Sequence, residues 1–276
     1  MEIQFKTFVT HAAGKSADEG EDRVAFNLEK KRFAIADGVS ASYFPHLLAE
    51  IVTNTFVWND ITPEHYQNDL DEGGLQTIHE KWASLAEELE GEADDKVARR
   101  LARVKRKYGG AASTLAGIWV EDDVMHYYAL GDSCIFVINN NGLITISSIK
   151  DKDSFDNYPD YLTSYGECVG TPISGSLELE AGWIVMATDA LSEWFWHRQE
   201  EEPGTIQTLW NLHTQYDFEK LIMEERAIGR LKNDDVAMVM IKTDNSRQTT
   251  SFPLGRSSVI NNIIVSISKW LGKLLK

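Results

Sequence analysis

The sequence predicts an α/β chain that mixes strands and helices, and three observations carry this prediction. Short apolar runs that end in aspartate, at residues 33–36 and 183–188, indicate buried strands. Apolar residues recur at helical spacing in residues 40–58 and 75–89. The 276 residues are 43% hydrophobic and include 8 tryptophans, enough for a substantial core in one large domain or two small ones.

Composition excludes several classes of protein. The net charge of −16 argues against non-specific nucleic-acid binding, which needs a basic surface. Two cysteines, Cys134 and Cys168, do not make a disulfide framework. The polar, acidic start predicts that there is no signal peptide and that the location is cytoplasmic. No window of about 18 apolar residues exists, so nothing is expected to span a membrane.

The first third of the chain is predicted to hold three strands and two helices. Residues 3–10 form the first strand, and residues 24–28 and 32–36 form a hairpin after a small, polar loop. Residues 40–58 are the first helix, with Pro45 in its first turn, and residues 75–89 are the second.

The middle of the chain is predicted to be a meander followed by a loop. Its strands are residues 111–120, 124–130, 134–138 and 143–146, and Gly131-Asp132-Ser133 makes a tight turn between the second and the third. Residues 148–172 have no strong period and form a long loop, which suggests function or disorder.

The last predicted elements surround two more acidic positions. The strand at residues 183–188 leads through Asp189 into a short helix at 190–197. Two further helices cover residues 203–213 and 218–228. Asn233-Asp234-Asp235 then opens a strand at residues 236–241.

Aspartates therefore stand where several predicted strands end or begin. In an antiparallel sheet the end of one strand and the start of its neighbour share an edge, so Asp37 and Asp189 can meet Asp234. Gly38 lets the backbone turn sharply and lets its carbonyl approach a ligand closely. Clustered carboxylates repel one another, and a bound divalent cation such as magnesium or manganese removes that conflict.

At these residues the chain resembles a known family. The segments E-D-R, A-I-A-D-G-V-S, G-A-A-S-T-L, A-L-G-D-S, M-A-T-D-A-L-S-E-W and N-D-D-V-A occur in the order typical of metal-dependent serine/threonine protein phosphatases of the 2C type. The resemblance covers residues 5–243 and is closest to a bacterial branch with Asp-Ala-Leu where most members have Asp-Gly-Leu. It implies a four-layer αββα sandwich, in which two antiparallel sheets pack face to face between helices.

The resemblance also implies a metal centre with two manganese or magnesium ions. Asp37 would bridge both ions, Asp189 and Asp234 would hold one, and the Gly38 carbonyl would hold the other. The remaining acidic positions have related roles: Glu21 would reach the second ion, Asp22 would hold metal-bound waters, and Asp132 would complete a looser third site with Asp189. On the residues alone, the Glu21-Asp22 pair is expected to be an ordinary solvated turn.

Two positions depart from the family pattern. Ala17 stands where many members have an arginine that grips the substrate phosphate, and Lys15 or His11 is a candidate substitute. Val39 stands where eukaryotic members often have a histidine that acts as a general acid. The phosphate-binding group and the source of the leaving-group proton are therefore left open.

The implied function is hydrolysis of phosphoserine and phosphothreonine in proteins by a metal-activated bridging water. The partners would be a phosphorylated protein substrate and the serine/threonine kinase whose action the enzyme reverses. One alternative is a catalytically weak or inactive regulatory protein with the same fold, suggested by Ala17 and Ala190. A metal-dependent nuclease also uses clustered carboxylates, but the net charge disfavours it.

The sequence divides into a phosphatase domain at 1–243, a polar linker at 244–258 and an amphipathic basic helix at 259–276. Apolar residues in the last segment recur at helical spacing, and the only charges there are Lys269, Lys273 and Lys276. This helix could lie on an anionic membrane, bind a groove of a partner, or dock on its own domain.

Overall fold

The computed structural model describes residues 2–16, 19–58, 74–92, 99, 102–103, 105–106, 109–155 and 158–244. They lie in one compact unit, Met1–Asn245. Ala17, the predicted linker beyond residue 244 and the predicted C-terminal helix at 259–276 fall outside the described residues. No helix in the described part of the chain is both long enough and apolar enough to cross a bilayer.

The strands form two five-stranded sheets and one three-stranded sheet, all antiparallel. They are β1 (Glu2–Thr10), β2 (Arg23–Asn27), β3 (Arg32–Ala36), β4 (Ala112–Ser113), β5 (Leu115–Glu121), β6 (Val124–Leu130), β7 (Cys134–Asn139), β8 (Gly142–Ile146), β9 (Tyr161–Thr163), β10 (Cys168–Val169), β11 (Ile173–Glu178), β12 (Gly182–Ala187) and β13 (Val236–Asp244). The first large sheet has the order β1-β13-β12-β7-β8, the second β11-β6-β5-β3-β2, and the small sheet β10-β9-β4.

Helices cover the outer faces of both large sheets. They are α1 (Pro45–Trp58), α2 (Gly74–Glu92), α3 (Asp189–Glu201), α4 (Thr205–Trp210) and α5 (Gln215–Ala227). Helices α1 and α2 pack on the second sheet, and α3, α4 and α5 pack on the first. Helix α1 begins at Pro45 rather than at residue 40, because proline suits the first helical position.

Strand β3 shows why this sequence makes layers. All five of its residues are buried, as expected for a strand covered on both faces. Phe33 and Ile35 point into the core between the two large sheets, whereas Ala34 and Ala36 point toward α1. Helices thus flank two face-to-face antiparallel sheets, and the predicted four-layer αββα fold class is confirmed.

The predicted meander is wrong at its centre, because β6 and β7 lie in different sheets. Both edges of β6 are already hydrogen bonded, to β5 on one side and to β11 on the other. The chain must therefore leave the second sheet at Gly131, whose φ of +96° favours glycine. The link that carries Asp132 is a crossing between the sheets and not a hairpin turn.

The region predicted as one long loop also contains short strands. Strands β9 and β10 pair there, and β9 also pairs with β4. The next strand, β11, was not predicted, since its glycine, its serines and the absence of any fully buried residue leave little apolar pattern.

Candidate active site

The acidic residues collect at one edge of the two packed sheets. Strand β3 of the second sheet ends directly before Asp37, and β12 of the first sheet ends just before Asp189, the first residue of α3. The crossing between the sheets brings Asp132 to the same place. Asp37 interacts electrostatically with Asp22, Asp132 and Asp189, so residues from both sheets form one cluster.

Asp22 and Asp132 form the buried back of this cluster, with 2% and 3% of their surface exposed, whereas Asp37 and Asp189 are partly exposed. Thr188 donates a 2.6 Å hydrogen bond from Oγ1 to Oδ2 of Asp22. The same hydroxyl oxygen accepts a hydrogen bond from the Ala237 amide at 2.9 Å. Among the described residues, Oδ1 of Asp22 is buried without a hydrogen-bond partner.

The backbone of Asp37 is held tightly by β4 and the residue after it. The Asp37 amide donates to Oγ1 of Thr114 at 2.9 Å, and the Thr114 amide donates to the Asp37 carbonyl at 2.9 Å. The Ser113 hydroxyl donates to the same carbonyl at 3.0 Å. Sequence reasoning missed Ser113 and Thr114 as supports, because their partner is distant in the chain.

The backbone amide and carbonyl of Gly38 point away from β4. Asp37 and Val39 make the backbone hydrogen bonds on the Ser113 side, so the amide and carbonyl of Gly38 face the opposite side. There the Gly38 amide donates to the Glu21 carbonyl at 3.3 Å. A Cβ atom at Gly38 would lie 2.6 Å from the backbone of Pro45, so only glycine fits.

Burial and mutual repulsion raise the pKa values of these carboxyl groups. Burial raises the pKa of Asp37 well above its usual range, and the charges of Asp22, Asp189 and Asp132 raise it further. Burial likewise raises the pKa of Asp22, against the opposing effect of the Thr188 hydrogen bond. Burial and the charge of Asp234 raise the pKa of Asp189 to about 6. The cluster therefore favours a bound proton or a bound cation.

Asp235, which the sequence analysis did not single out, is the buried partner of the neighbouring loop. Its Oδ1 accepts from the Ala12 amide at 2.7 Å, and its Oδ2 accepts from the Glu21 amide at 2.7 Å and from Nζ of Lys15 at 3.0 Å. Asp234 beside it is exposed and interacts with Asp189. The only signal in the sequence was the doubled aspartate at a strand start, where alternate side chains face opposite sides.

Lys15, a predicted candidate for gripping phosphate, is shared by two carboxylates. Besides Asp235, its Nζ contacts Oε2 of Glu21 at 2.9 Å. Burial lowers the pKa of Lys15, but Glu21 and Asp235 outweigh this effect and raise it above its usual value. Ser40 also donates a hydrogen bond to Glu21. For His11, the other candidate, the structure shows its carbonyl accepting from Arg226 at 3.1 Å.

The donor set matches the preference of magnesium and manganese for oxygen ligands: carboxylates from both sheets and the Gly38 carbonyl. The buried Oδ1 of Asp22 is an oxygen that such an ion, or a water held by it, would satisfy. Within the described residues, no three acidic, histidine or cysteine side chains already form a finished metal site. The carboxylates are thus a cluster whose side chains must still converge.

The comparisons with known proteins agree with this geometry. Residues 15–244 match the family described as Protein phosphatase 2C, and no curated protein matches the sequence. The fold is similar to the catalytic domain of the serine/threonine phosphatase PstP, solved with two manganese ions, at 16% identity over 87% of this chain and 97% of that one, with a TM-score of 0.54.

Two further solved structures share the fold. The serine/threonine phosphatase Stp1 from Staphylococcus aureus is 14% identical over 89% of this chain and 96% of its own, with a TM-score of 0.57. PppA of Pseudomonas aeruginosa, a regulatory component of the type VI secretion system, is 11% identical over 88% of this chain and 98% of its own, with a TM-score of 0.53. The family match covers most of the sequence, so the chain belongs to the protein phosphatase 2C family, the metal-dependent protein serine/threonine phosphatases.

Proposed function

We propose that this protein removes phosphate from phosphoserine and phosphothreonine in a protein substrate, and so reverses a serine/threonine kinase. The single observation that carries the proposal is the cluster of carboxylates that strands of both large sheets bring to one edge, where Asp37 and Asp189 are partly exposed. The family to which the chain belongs supplies the reaction class.

The residues that would hold two manganese or magnesium ions are those of this edge. Asp37 lies between the groups of both sheets and would contact both ions. Asp189 and Asp234, which interact with each other, would hold one ion. The Gly38 carbonyl and the Glu21 side chain would hold the other, and the Gly38 amide is hydrogen bonded to the Glu21 carbonyl. Asp132 interacts with Asp37 and would serve a third, looser site together with Asp189.

Bound divalent ions supply an acidified water and neutralise charge on the phosphoryl oxygens. The chain itself orients the groups around that water. Thr188 fixes one oxygen of Asp22, and the other oxygen, which has no hydrogen-bond partner among the described residues, would hold a metal-bound water. Thr114 and Ser113 hold the Asp37 backbone, so that its carboxylate cannot drift from the edge.

A cysteine nucleophile is not supported by the described residues. Burial raises the pKa of Cys134 to about 12, so this thiol stays protonated at neutral pH. Burial also raises the pKa of Cys168. We therefore expect activity to survive thiol-blocking reagents.

The test is an assay of purified full-length protein on matched phosphothreonine, phosphoserine and phosphotyrosine peptides. Turnover should require manganese or magnesium, vanish with chelator and return when metal is restored. It should favour the first two peptides over the third. Manganese and phosphopeptide binding without turnover would instead identify an inactive binding protein, and full activity after exhaustive chelation would refute a metal mechanism.

For the segment beyond the described residues we propose peripheral attachment to an anionic membrane. The proposal rests on the sequence pattern of residues 259–276, which places apolar residues on one helical face and three lysines on the other. Each lysine near such a surface contributes about 1 kcal/mol.

Co-sedimentation with anionic vesicles should decline at high salt, and removal of residues 257–276 should abolish it while small-phosphoester hydrolysis persists. A truncated protein with a lower Tm and a full-length protein that ignores vesicles would point to docking on its own domain.

A further inference from the structure

Lys232 places a positive charge at the rim of the acidic cluster. Its Nζ lies 2.7 Å from Oε2 of Glu193. Glu193 follows Asp189 by four positions on α3, so both carboxylates lie on the same helical face, one turn apart. Lys232 also interacts electrostatically with Asp189 and Asp132. The ammonium group therefore lies over the turn of α3 that carries a proposed metal ligand.

The loop that carries Lys232 has a fixed backbone. Arg226 donates from Nε to the Lys232 carbonyl at 3.4 Å, and from Nη2 to the Asp234 carbonyl. The Ala13 amide donates to Oδ1 of Asn233 at 2.7 Å, which ties the loop to the N-terminal segment. Leu231, 5% exposed, anchors the loop in the core beneath α3. Lys232 thus projects from a rigid base.

The charges of the proposed centre call for such a cation. Six acidic side chains line the centre, whereas two divalent ions bring four positive charges. The acidic residues are Glu21, Asp22, Asp37, Asp132, Asp189 and Asp234. A phosphorylated side chain adds a charge of about −1.5 to −2 at neutral pH. A further positive group at the rim is therefore needed to make the approach of phosphate favourable.

Among the residues that the structure describes, two lysines are close enough to the cluster to be considered. Lys15 is held by Glu21 and Asp235, both of which are largely buried. Lys232 has one carboxylate partner at hydrogen-bond distance, and its side chain is 52% exposed. An ammonium has three N–H donors, so Lys232 can keep Glu193 and still offer donors toward solvent.

We propose that Lys232 binds the phosphoryl oxygens of the substrate. It would take the role of the phosphate-binding arginine that many family members have at the position of Ala17. The proposal rests on the proposed phosphatase function. Glu193 keeps the ammonium at the rim before substrate arrives, and the rigid loop sets its height above Asp189.

The experiment uses the full-length protein with saturating manganese and three variants: Lys232→Ala, Lys232→Arg and, as a matched control, Lys220→Ala. Lys220 is also a surface lysine in one ion pair, with Glu224 at 3.8 Å, but it lies on α5. Three quantities are measured: KM and kcat on a phosphothreonine peptide, the inhibition constant of inorganic phosphate, and the dissociation constant of Mn²⁺ by calorimetry.

Lys232→Ala should raise KM and the phosphate inhibition constant by roughly ten- to a hundredfold, the worth of a hydrogen bond to a charged group. The Mn²⁺ dissociation constant should not rise, because removal of a nearby positive charge cannot weaken the binding of a cation. Lys232→Arg should recover most of the loss, and Lys220→Ala should behave as wild type.

An unchanged phosphate constant in Lys232→Ala would overturn the inference, and so would a loss explained by weaker Mn²⁺ binding. If the wild type shows no turnover, the proposed function fails. Calorimetric binding of inorganic phosphate to the Mn²⁺-loaded protein still tests Lys232 in that case, because it needs no catalysis.

Discussion

Two buried aspartates at the same edge of the fold differ in how many donors satisfy their carboxylates. Asp235 and Asp22 are 3% and 2% exposed. Asp235 receives two backbone amides and the Lys15 ammonium, which satisfy its charge. Asp22 receives one hydroxyl, and its other oxygen has no partner among the described residues. Burial is common to both, so the difference lies in the donors, and the unsatisfied oxygen of Asp22 favours a bound proton or a bound cation.

The largest expected effect is the loss of turnover when a carboxylate of the cluster around Asp22 is removed. Asp37→Asn or Asp189→Asn should lower phosphopeptide hydrolysis by roughly a thousandfold or more, because each removes a charged ligand worth several kcal/mol. Circular dichroism should show an intact fold. Asp153→Asn, at a side chain that is 77% exposed, is the control and should keep wild-type activity. Wild-type turnover in either site variant at saturating manganese would remove that residue from the centre.

The next effect concerns stability and should separate the two buried aspartates directly. Asp235→Ala leaves two amides and an ammonium without their acceptor, so we expect a loss of about 3–5 kcal/mol. In the metal-free protein, Asp22→Asn should raise stability instead, because the neutral amide avoids the cost of burying or protonating a carboxylate that has a single hydroxyl donor. Denaturant titration without metal measures both. Equal destabilisation by the two variants would contradict the distinction.

The stability of the metal-free protein should depend on pH, because the carboxyl groups of the cluster repel one another. The pKa of Asp189 is raised from 3.8 to about 6 by folding, so the folded state binds more protons than the unfolded state between these values. The contribution of Asp189 to stability is therefore present below about pH 4 and is lost as pH rises toward 6.

Denaturation at pH 4–7 should thus show Asp189→Asn gaining on wild type as pH rises, when metal is absent. Saturating manganese should reverse the trend, because protons then compete with the ion for the carboxylate. A constant difference between variant and wild type across this range would show that the carboxyl group is not perturbed.

The smallest effect is expected at Lys15, whose ammonium group pairs with Asp235. Lys15→Met should cost about 1 kcal/mol, since the lysine side chain is 30% exposed and its ion pairs are partly screened. Hydrolysis should fall only modestly, with Lys220→Met as the reference for a surface lysine. A loss of turnover as large as that of Asp37→Asn, without weaker metal binding, would place Lys15 on the substrate instead.

The sequence predicted the strands that end at the site, because apolar runs beside aspartate depend on local pattern. Strand β3 was predicted to the residue, and β6 likewise. Which sheet each strand joins is set by which edges are already paired, and this is why the link carrying Asp132 was mistaken for a hairpin. Local pattern carries no information about partners that lie far away along the chain.

The same limit applies to the candidate site. Position at strand ends and turns singled out Asp37, Asp132, Asp189 and Asp234, whereas only the resemblance singled out Glu21 and Asp22. Their roles as ligands stay predictions. Asp235 and Lys232 were overlooked, because their contacts are with residues that are distant in sequence. Asp235 contacts the amides of Ala12 and Glu21, and Lys232 contacts Glu193. Two adjacent aspartates point to opposite sides, and the sequence alone does not determine which one is buried. That depends on how the strand pairs with its neighbours.

The crossing at Gly131 makes the geometry of the acidic cluster depend on the alignment of the two sheets. Asp132 lies on the link from one sheet to the other, and Asp37 and Asp189 follow strands of different sheets. A shift of one sheet along the other by an ångström would separate the carboxylates before it disrupted either sheet. Loss of activity on heating should then precede loss of secondary structure, and substitutions in the middle of the core between the sheets should alter turnover from a distance.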